Sequence, residues 1–122
     1  MAQELVSHPI PTLTENQFFH MVESAQPTIA VFDCDGTLWS GDAGIGFMQW
    51  TMDCGLLSRE ASDWMDGRYR AYLRGEVSEL AICAEMLQVY RGLREAELRQ
   101  AAHAFFESTI RPQIFPEMAE LC

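Results

Sequence analysis

The chain has 122 residues, of which 48% are hydrophobic, enough for one modest domain with an apolar core. Its formal net charge is −10, with eight arginines and no lysine. This charge argues against nucleic acid and anionic membrane surfaces as partners, because both bind cationic patches. No run of about 18 apolar residues is present, so a membrane-spanning helix is not expected.

The cysteines and the first residues bear on the cellular compartment. The four cysteines are irregularly spaced, at positions 34, 54, 83 and 122. They form no Cys-x-x-Cys pair and no Cys/His cluster of the kind that indicates zinc. The first residues lack the basic and long apolar regions of a secretory signal. These features predict a reduced, cytoplasmic setting.

The first predicted element is a short helix after an extended arm over residues 1–13. Thr14 and Gln17 fit a capping box, in which each side chain bonds the backbone N–H of the other residue. Pro27 is expected to end this helix, because proline cannot continue it.

A buried strand is predicted over residues 28–32, because this short run is apolar, β-branched and bounded by proline and glycine. Asp33 and Asp35 follow at its carboxyl end, where ligands collect in open α/β sheets. Gly36 allows the loop to turn sharply. The backbone N–H groups of residues 34–37 can then face an anion. The loop therefore predicts a phosphate-binding site.

Asp33 and Asp35 are close enough in sequence to repel each other unless a cation lies between them. Mg²⁺ suits such oxygen ligands best. With the ion bound, one carboxylate can stay ionised and attack as a nucleophile, while the other carries a proton to the leaving group. The alternative is a solvated turn, in which Asp and Gly are common.

The stretch Val31–Leu38, with the sequence Val-Phe-Asp-Cys-Asp-Gly-Thr-Leu, resembles the first motif of the haloacid dehalogenase (HAD) superfamily of phosphohydrolases. The resemblance implies an α/β Rossmann-like HAD fold, of which this chain holds the first strand. It implies that Asp33 is the nucleophile that becomes an aspartyl-phosphate and that Asp35 is the general acid/base. It also implies Mg²⁺, held by the Asp33 carboxylate and the Asp35 backbone carbonyl. The residues assigned to phosphate or substrate binding are Cys34, Gly36, Thr37 and Asp42. For Thr37 the alternative is a local bond between its side chain and the backbone.

The chain after Gly41 is predicted to be helical, so that the chain as a whole is mostly α. Glycine and serine divide it into four helices that begin near Asp42, Ser58, Ser78 and Arg94. A short fifth helix follows Pro116. By resemblance to the phosphoserine-phosphatase-like branch, the helices form a cap inserted after the first core strand. The predicted domains are 1–41 (arm, helix, strand and loop), 42–110 (helical cap) and 111–122 (return to the core).

Asp42 and three arginines on the second cap helix are candidate specificity residues. By resemblance to phosphoserine phosphatases, an acid near Asp42 can contact a substrate amino group, and the alternative is a helix N-cap. The arginines can clamp a substrate carboxylate; they are Arg68, Arg70 and Arg74. The favoured alternative is a solvated face on which they pair with Asp63, Asp66 and Glu76.

Parts of a HAD active site are missing from residues 34–122. We find no second convincing strand, no lysine to balance the phosphoryl charge, and no aspartate after Asp66.

The chain is therefore expected to be the N-terminal portion of a Mg²⁺-dependent phosphohydrolase that acts on a small phosphorylated metabolite. This portion is expected to be inactive alone. The alternative is a non-catalytic helical interaction module derived from such an enzyme. The open reading frame beyond Cys122 would separate the two. A third interpretation is a glycosyltransferase with an Asp-x-Asp motif. The Gly-Thr-Leu sequence that follows the second aspartate fits this interpretation poorly.

Overall fold

The computed structural model of the chain describes residues 10–122, so most of the predicted arm lies outside the described residues. Two compact units are present, one ending at Phe32 and one running from Asp33 to Glu120. The α-helices of the described residues are α1 (Glu15–Ala25), α2 (Ala43–Asp53), α3 (Arg59–Leu73), α4 (Glu79–Gln88), α5 (Glu95–Phe105) and α6 (Pro116–Leu121). A π-helical turn (Phe106–Ile110) and a 3-10 turn (Arg111–Gln113) lie between the last two. Across residues 10–122, every helix is too short or too polar to cross a membrane.

The first unit contains α1, whose predicted capping box is confirmed. The Thr14 N–H donates to Gln17 Oε1 at 2.9 Å, and the Gln17 N–H donates to Thr14 Oγ1 at 3.3 Å. The helix ends at Gln26, which adopts the left-handed conformation with φ 45° just before Pro27. None of the residues of α1 is buried.

The prediction of a buried strand over residues 28–32 is wrong. These residues form no strand, and Ile29 and Val31 are 80% and 91% exposed. A strand needs neighbours to pair its backbone N–H and C=O groups. Among residues 10–122, β-type pairing is confined to isolated bridges of Trp39 with Asp35 and with Ile114. The β-branched composition gives only a propensity for strand, and the residues that the structure describes include no partner strand.

The helices of the second unit begin and end largely where the sequence predicts. Their N-cap side chains accept hydrogen bonds from the N–H three residues on, at 2.9, 3.1 and 3.2 Å for Asp42, Ser58 and Ser78 respectively. Gly55 and Gly75 follow α2 and α3 with φ 75° and 76°, a conformation that favours glycine. The predicted helical character of this region is confirmed.

The core of the second unit is formed by apolar side chains of α2, α3 and α4 and of the turn between α3 and α4. Its buried cluster consists of Met48, Met65, Ala71, Val77 and Ile82. Tyr69 and Tyr72 pack against this cluster and are partly buried, as expected for side chains that serve helix packing. Thr51 is also fully buried, and its hydroxyl donates to the Met48 carbonyl at 2.8 Å. The same hydroxyl lies 2.9 Å from the hydroxyl of Tyr90.

The three candidate arginines, Arg68, Arg70 and Arg74, are paired with acids rather than free to clamp a ligand. Arg70 pairs with Asp66 and Arg74 pairs with Glu76, both at 2.8 Å, as the favoured interpretation predicts. Arg68 forms two hydrogen bonds, of 2.8 and 2.7 Å, to Glu85 on α4. The sequence did not indicate this last partner, because it lies 17 residues away on another helix.

The pair between Arg68 and Glu85 predicts a pH dependence of stability. The bidentate hydrogen bond from Arg68 holds the pKa of Glu85 below its ordinary value. The pair's stabilisation is therefore full above the unfolded pKa of about 4.3 and is lost as pH falls through the lower folded pKa. Glu85→Gln is expected to lower the free energy of unfolding near neutral pH, by an amount that is smaller at a second, acid pH below the folded pKa, where the wild-type carboxyl is protonated.

Urea unfolding of both proteins at the two pH values measures this difference. Glu120→Gln is the matched control, since Glu120 is exposed and forms no ion pair within the described residues. A Glu85→Gln effect of equal size at both pH values would contradict the prediction.

Candidate active site

The candidate site is the loop that begins at Asp33 and turns at Gly36. The carbonyl of Cys34 accepts hydrogen bonds from the N–H groups of Thr37 and Leu38, at 3.0 and 2.8 Å. Gly36 has φ 75°, so the turn uses the left-handed conformation that glycine adopts without strain. The sharp turn predicted at this glycine is confirmed.

Some backbone N–H groups of this loop donate hydrogen bonds within the loop, and others have no backbone acceptor among the described residues. The N–H of Gly36 donates to the Trp39 carbonyl at 2.8 Å, and that of Thr37 donates to Cys34. These two groups, which the sequence predicted to face an anion, are thus used by the loop itself. The N–H groups of Cys34 and Asp35 have no backbone acceptor within residues 10–122. These two N–H groups are the ones in the loop that remain able to donate hydrogen bonds to a phosphate.

Asp33 is exposed and bonded through only one of its carboxylate oxygens. Its Oδ2 accepts a hydrogen bond from Thr37 Oγ1 at 3.1 Å. Its Oδ1 accepts no hydrogen bond from the described residues. Thr37 therefore steadies the aspartate directly, rather than bonding the backbone as the alternative interpretation had it.

Asp35 is held at the start of the helical region. Its Oδ1 accepts the indole N–H of Trp39 at 2.9 Å and the backbone N–H of Ala43 at 3.0 Å. Ala43 is the first residue of α2, so this carboxylate lies at the helix end that carries unpaired N–H groups and partial positive charge. Sequence reasoning missed both donors, because neither residue type is characteristic of a site.

Asp42 acts as the N-cap of α2, which confirms the alternative interpretation of this residue. Its Oδ1 accepts the N–H of Ile45 at 2.9 Å. It also lines a cavity of about 180 Å³ whose wall includes Gly44 and Ile45 and residues of α3 and α4. Those further residues are Tyr69, Tyr72, Glu79, Ile82, Cys83 and Met86. The cavity thus flanks Ala43, whose N–H donates to Asp35.

The chain returns to the site loop from the other end of the second unit. Ser40 donates through its hydroxyl to Gln113 Oε1 at 3.0 Å and through its N–H to the Gln113 carbonyl at 3.1 Å. The Phe115 N–H donates to the Leu38 carbonyl at 3.0 Å. These contacts join residues more than 70 positions apart. They hold the segment after the site loop beside the segment that follows the last cap helix.

The oxygens that the resemblance assigns to Mg²⁺ are compatible with that ion. Oδ2 of Asp33 accepts a single hydrogen bond, from Thr37, and keeps a lone pair, and the backbone carbonyl of Asp35 accepts no hydrogen bond from the described residues. Hard oxygen ligands of this kind suit Mg²⁺, which usually keeps several waters. Within residues 10–122 no group of three or more His, Cys, Asp and Glu side chains could hold a metal ion.

The exposed site loop keeps Asp33 and Asp35 within one Asp-x-Asp-Gly-Thr turn and runs directly into the helical region. The family model of the haloacid dehalogenase-like hydrolases matches residues 30–122, well over half of the chain, and the chain belongs to this family. No match was found among curated proteins or among solved structures. The predicted superfamily is confirmed, while the phosphoserine-phosphatase-like branch stays a prediction.

Proposed function

We propose that this chain carries the nucleophile loop and the helical cap of a Mg²⁺-dependent hydrolase that cleaves a small phosphomonoester. The observation that supports this function is the unequal bonding of two exposed carboxylates in one loop. Asp33 keeps one oxygen without a donor among the described residues, whereas one oxygen of Asp35 is fixed by two N–H groups. An unengaged oxygen suits a nucleophile, and a carboxyl of fixed orientation suits a proton donor.

The proposed reaction has two steps. In the first, the unengaged oxygen of Asp33 attacks phosphorus, the bond between phosphorus and the ester oxygen breaks, and the Asp35 carboxyl gives its proton to that oxygen. In the second, water attacks the phosphorus of the aspartyl-phosphate and gives a proton to Asp35, so that phosphate leaves and Asp33 is restored. Mg²⁺ bound by the Asp33 carboxylate and the Asp35 carbonyl would supply positive charge to the phosphoryl oxygens.

Phosphate release from a panel of small phosphomonoesters tests the proposed function. The HAD resemblance calls for a lysine beside the phosphoryl group, and this chain has none. The assay therefore uses the protein expressed from its entire open reading frame. We expect release with Mg²⁺, loss of release with EDTA, and recovery when Mg²⁺ is added in excess. A folded protein that releases no phosphate from any ester with Mg²⁺ present would refute the proposal.

A non-catalytic interaction module is the second candidate function. The side chains of Ile29 and Val31, 80% and 91% exposed, favour it, because exposed apolar side chains are candidates for burial against a protein partner. The module would release no phosphate and would bind through this segment. Ile29→Ser with Val31→Ser would then abolish association measured by size-exclusion chromatography, and would leave an enzyme's Mg²⁺ dependence unaltered.

A further inference from the structure

Trp39 lies at the end of the site loop and is held in three ways. Its indole Nε1 donates to Oδ1 of Asp35 at 2.9 Å. Its ring packs edge-on against Phe106, with the ring centroids 6.4 Å apart and an interplanar angle of 82°. Its backbone forms bridges with Asp35 and with Ile114. The packing against Phe106 and the bridge with Ile114 hold Trp39 in place independently of Asp35.

The hydrogen bond from Trp39 determines which oxygen of Asp35 can carry a proton. The same Oδ1 also accepts the N–H of Ala43, at 3.0 Å. A carboxylate oxygen has two lone-pair sites, and these two donors use both. The other oxygen, Oδ2, accepts no hydrogen bond from the described residues. It is the oxygen left to bind a proton.

We propose that Trp39 is a positioning residue for proton transfer, which fixes the Asp35 carboxyl so that Oδ2 carries the proton passed to the ester oxygen. The role rests on the proposed function, because it has meaning only if Asp35 is the acid. Trp39 acts through Asp35 and does not itself touch the reacting atoms. Hydrogen bonds to a charged acceptor are worth more than neutral ones, so losing this one loosens the carboxyl appreciably.

The hydrogen bond can be tested without any activity. In a nitrogen–proton NMR correlation spectrum, the chain's tryptophans, Trp39, Trp50 and Trp64, each give one indole N–H signal, and the signal lost in Trp39→Phe belongs to Trp39. We expect Asp35→Ala to move the Trp39 signal to higher field, because the indole loses its charged acceptor. The signals of Trp50 and Trp64 should stay in place and report an intact fold. A Trp39 signal that does not move would overturn the proposal.

The positioning role is tested by comparing two kinds of leaving group. Trp39→Phe keeps an aromatic ring for Phe106 and removes only the N–H donor. We expect kcat/KM, which covers phosphoryl transfer to Asp33, to fall about tenfold for an alkyl phosphate, whose alkoxide must be protonated. For p-nitrophenyl phosphate we expect a change of less than about twofold, since p-nitrophenolate leaves as a stable anion and needs no proton.

Trp64→Phe is the matched control, because Trp64 is about half exposed (48%) and its indole forms no hydrogen bond within residues 10–122. It should leave both esters unaffected. A loss of equal size for both esters in Trp39→Phe, or no loss for either, would overturn the positioning role. If Trp39→Phe fails to fold, Trp50→Phe and Trp64→Phe identify the other two signals and leave the third to Trp39, and its response to Asp35→Ala still decides whether the bond exists. A wild-type protein inactive on every ester of the panel would refute the proposed function and with it the catalytic role, while the NMR result would stand separately.

Discussion

Asp33→Asn is expected to abolish phosphate release from every phosphomonoester that the protein cleaves, lowering kcat by at least about a thousandfold. The amide oxygen of asparagine carries no negative charge, so it is a poor nucleophile for phosphorus and a weak ligand for Mg²⁺. Phosphate release measures the effect. Mass spectrometry of acid-quenched protein adds a second readout, since only the wild type should gain the mass of a phosphoryl group.

Asp63→Asn makes the same chemical change at an exposed aspartate on α3 that takes part in no ion pair within the described residues. It is expected to retain wild-type activity. Asp33 is exposed and accepts a single hydrogen bond from the described residues, from Thr37. The free energies of unfolding of both variants should therefore lie within about 0.5 kcal/mol of the wild-type value. Retained turnover by a correctly folded Asp33→Asn protein would rule out this residue as the nucleophile.

The helices were predictable because their ends depend on local chemistry. Ser58 and Ser78 cap helices through hydroxyl groups that reach the N–H three residues on, a contact fixed by neighbouring sequence. Where the end depends on packing, the prediction was less accurate. The helical cap was predicted over residues 42–110, but its last α-helix, α5, ends at Phe105 and a π-helical turn continues to Ile110. The predicted strand over residues 28–32 is wrong because a strand depends even less on local chemistry. Its backbone N–H and C=O groups need a partner strand to pair with.

The residues of the candidate site could be predicted from the sequence, but the hydrogen bonds between them could not. A short motif placed Asp33 and Asp35 in one loop, and the structure keeps them there with Gly36 at the turn. Which way each carboxylate points depends on the loop backbone and on distant segments. The bond from Trp39 to Asp35 follows from the turn geometry. The bond from Ser40 to Gln113 spans 73 residues and has no counterpart in any local pattern.

Met65→Ala is expected to lower the free energy of unfolding by about 2–5 kcal/mol, the largest stability effect that we predict. Met65 is fully buried at the centre of the cluster formed by α2, α3 and α4. Truncation removes its contacts and leaves a cavity that the surrounding helices can close only in part. Urea unfolding followed by circular dichroism measures the loss.

Leu73→Ala on the same helix is the matched control, because it removes an apolar side chain of similar size that is 65% exposed. Its effect should stay within about 0.5 kcal/mol. Met65→Leu, which roughly conserves volume, should cost less than about 1.5 kcal/mol. A Met65→Ala loss no larger than that of Leu73→Ala would show that this cluster is not the core. Because Tyr69 lies one turn after Met65 on α3 and lines the cavity beside Asp42, loosening the core should also disturb the wall of that cavity.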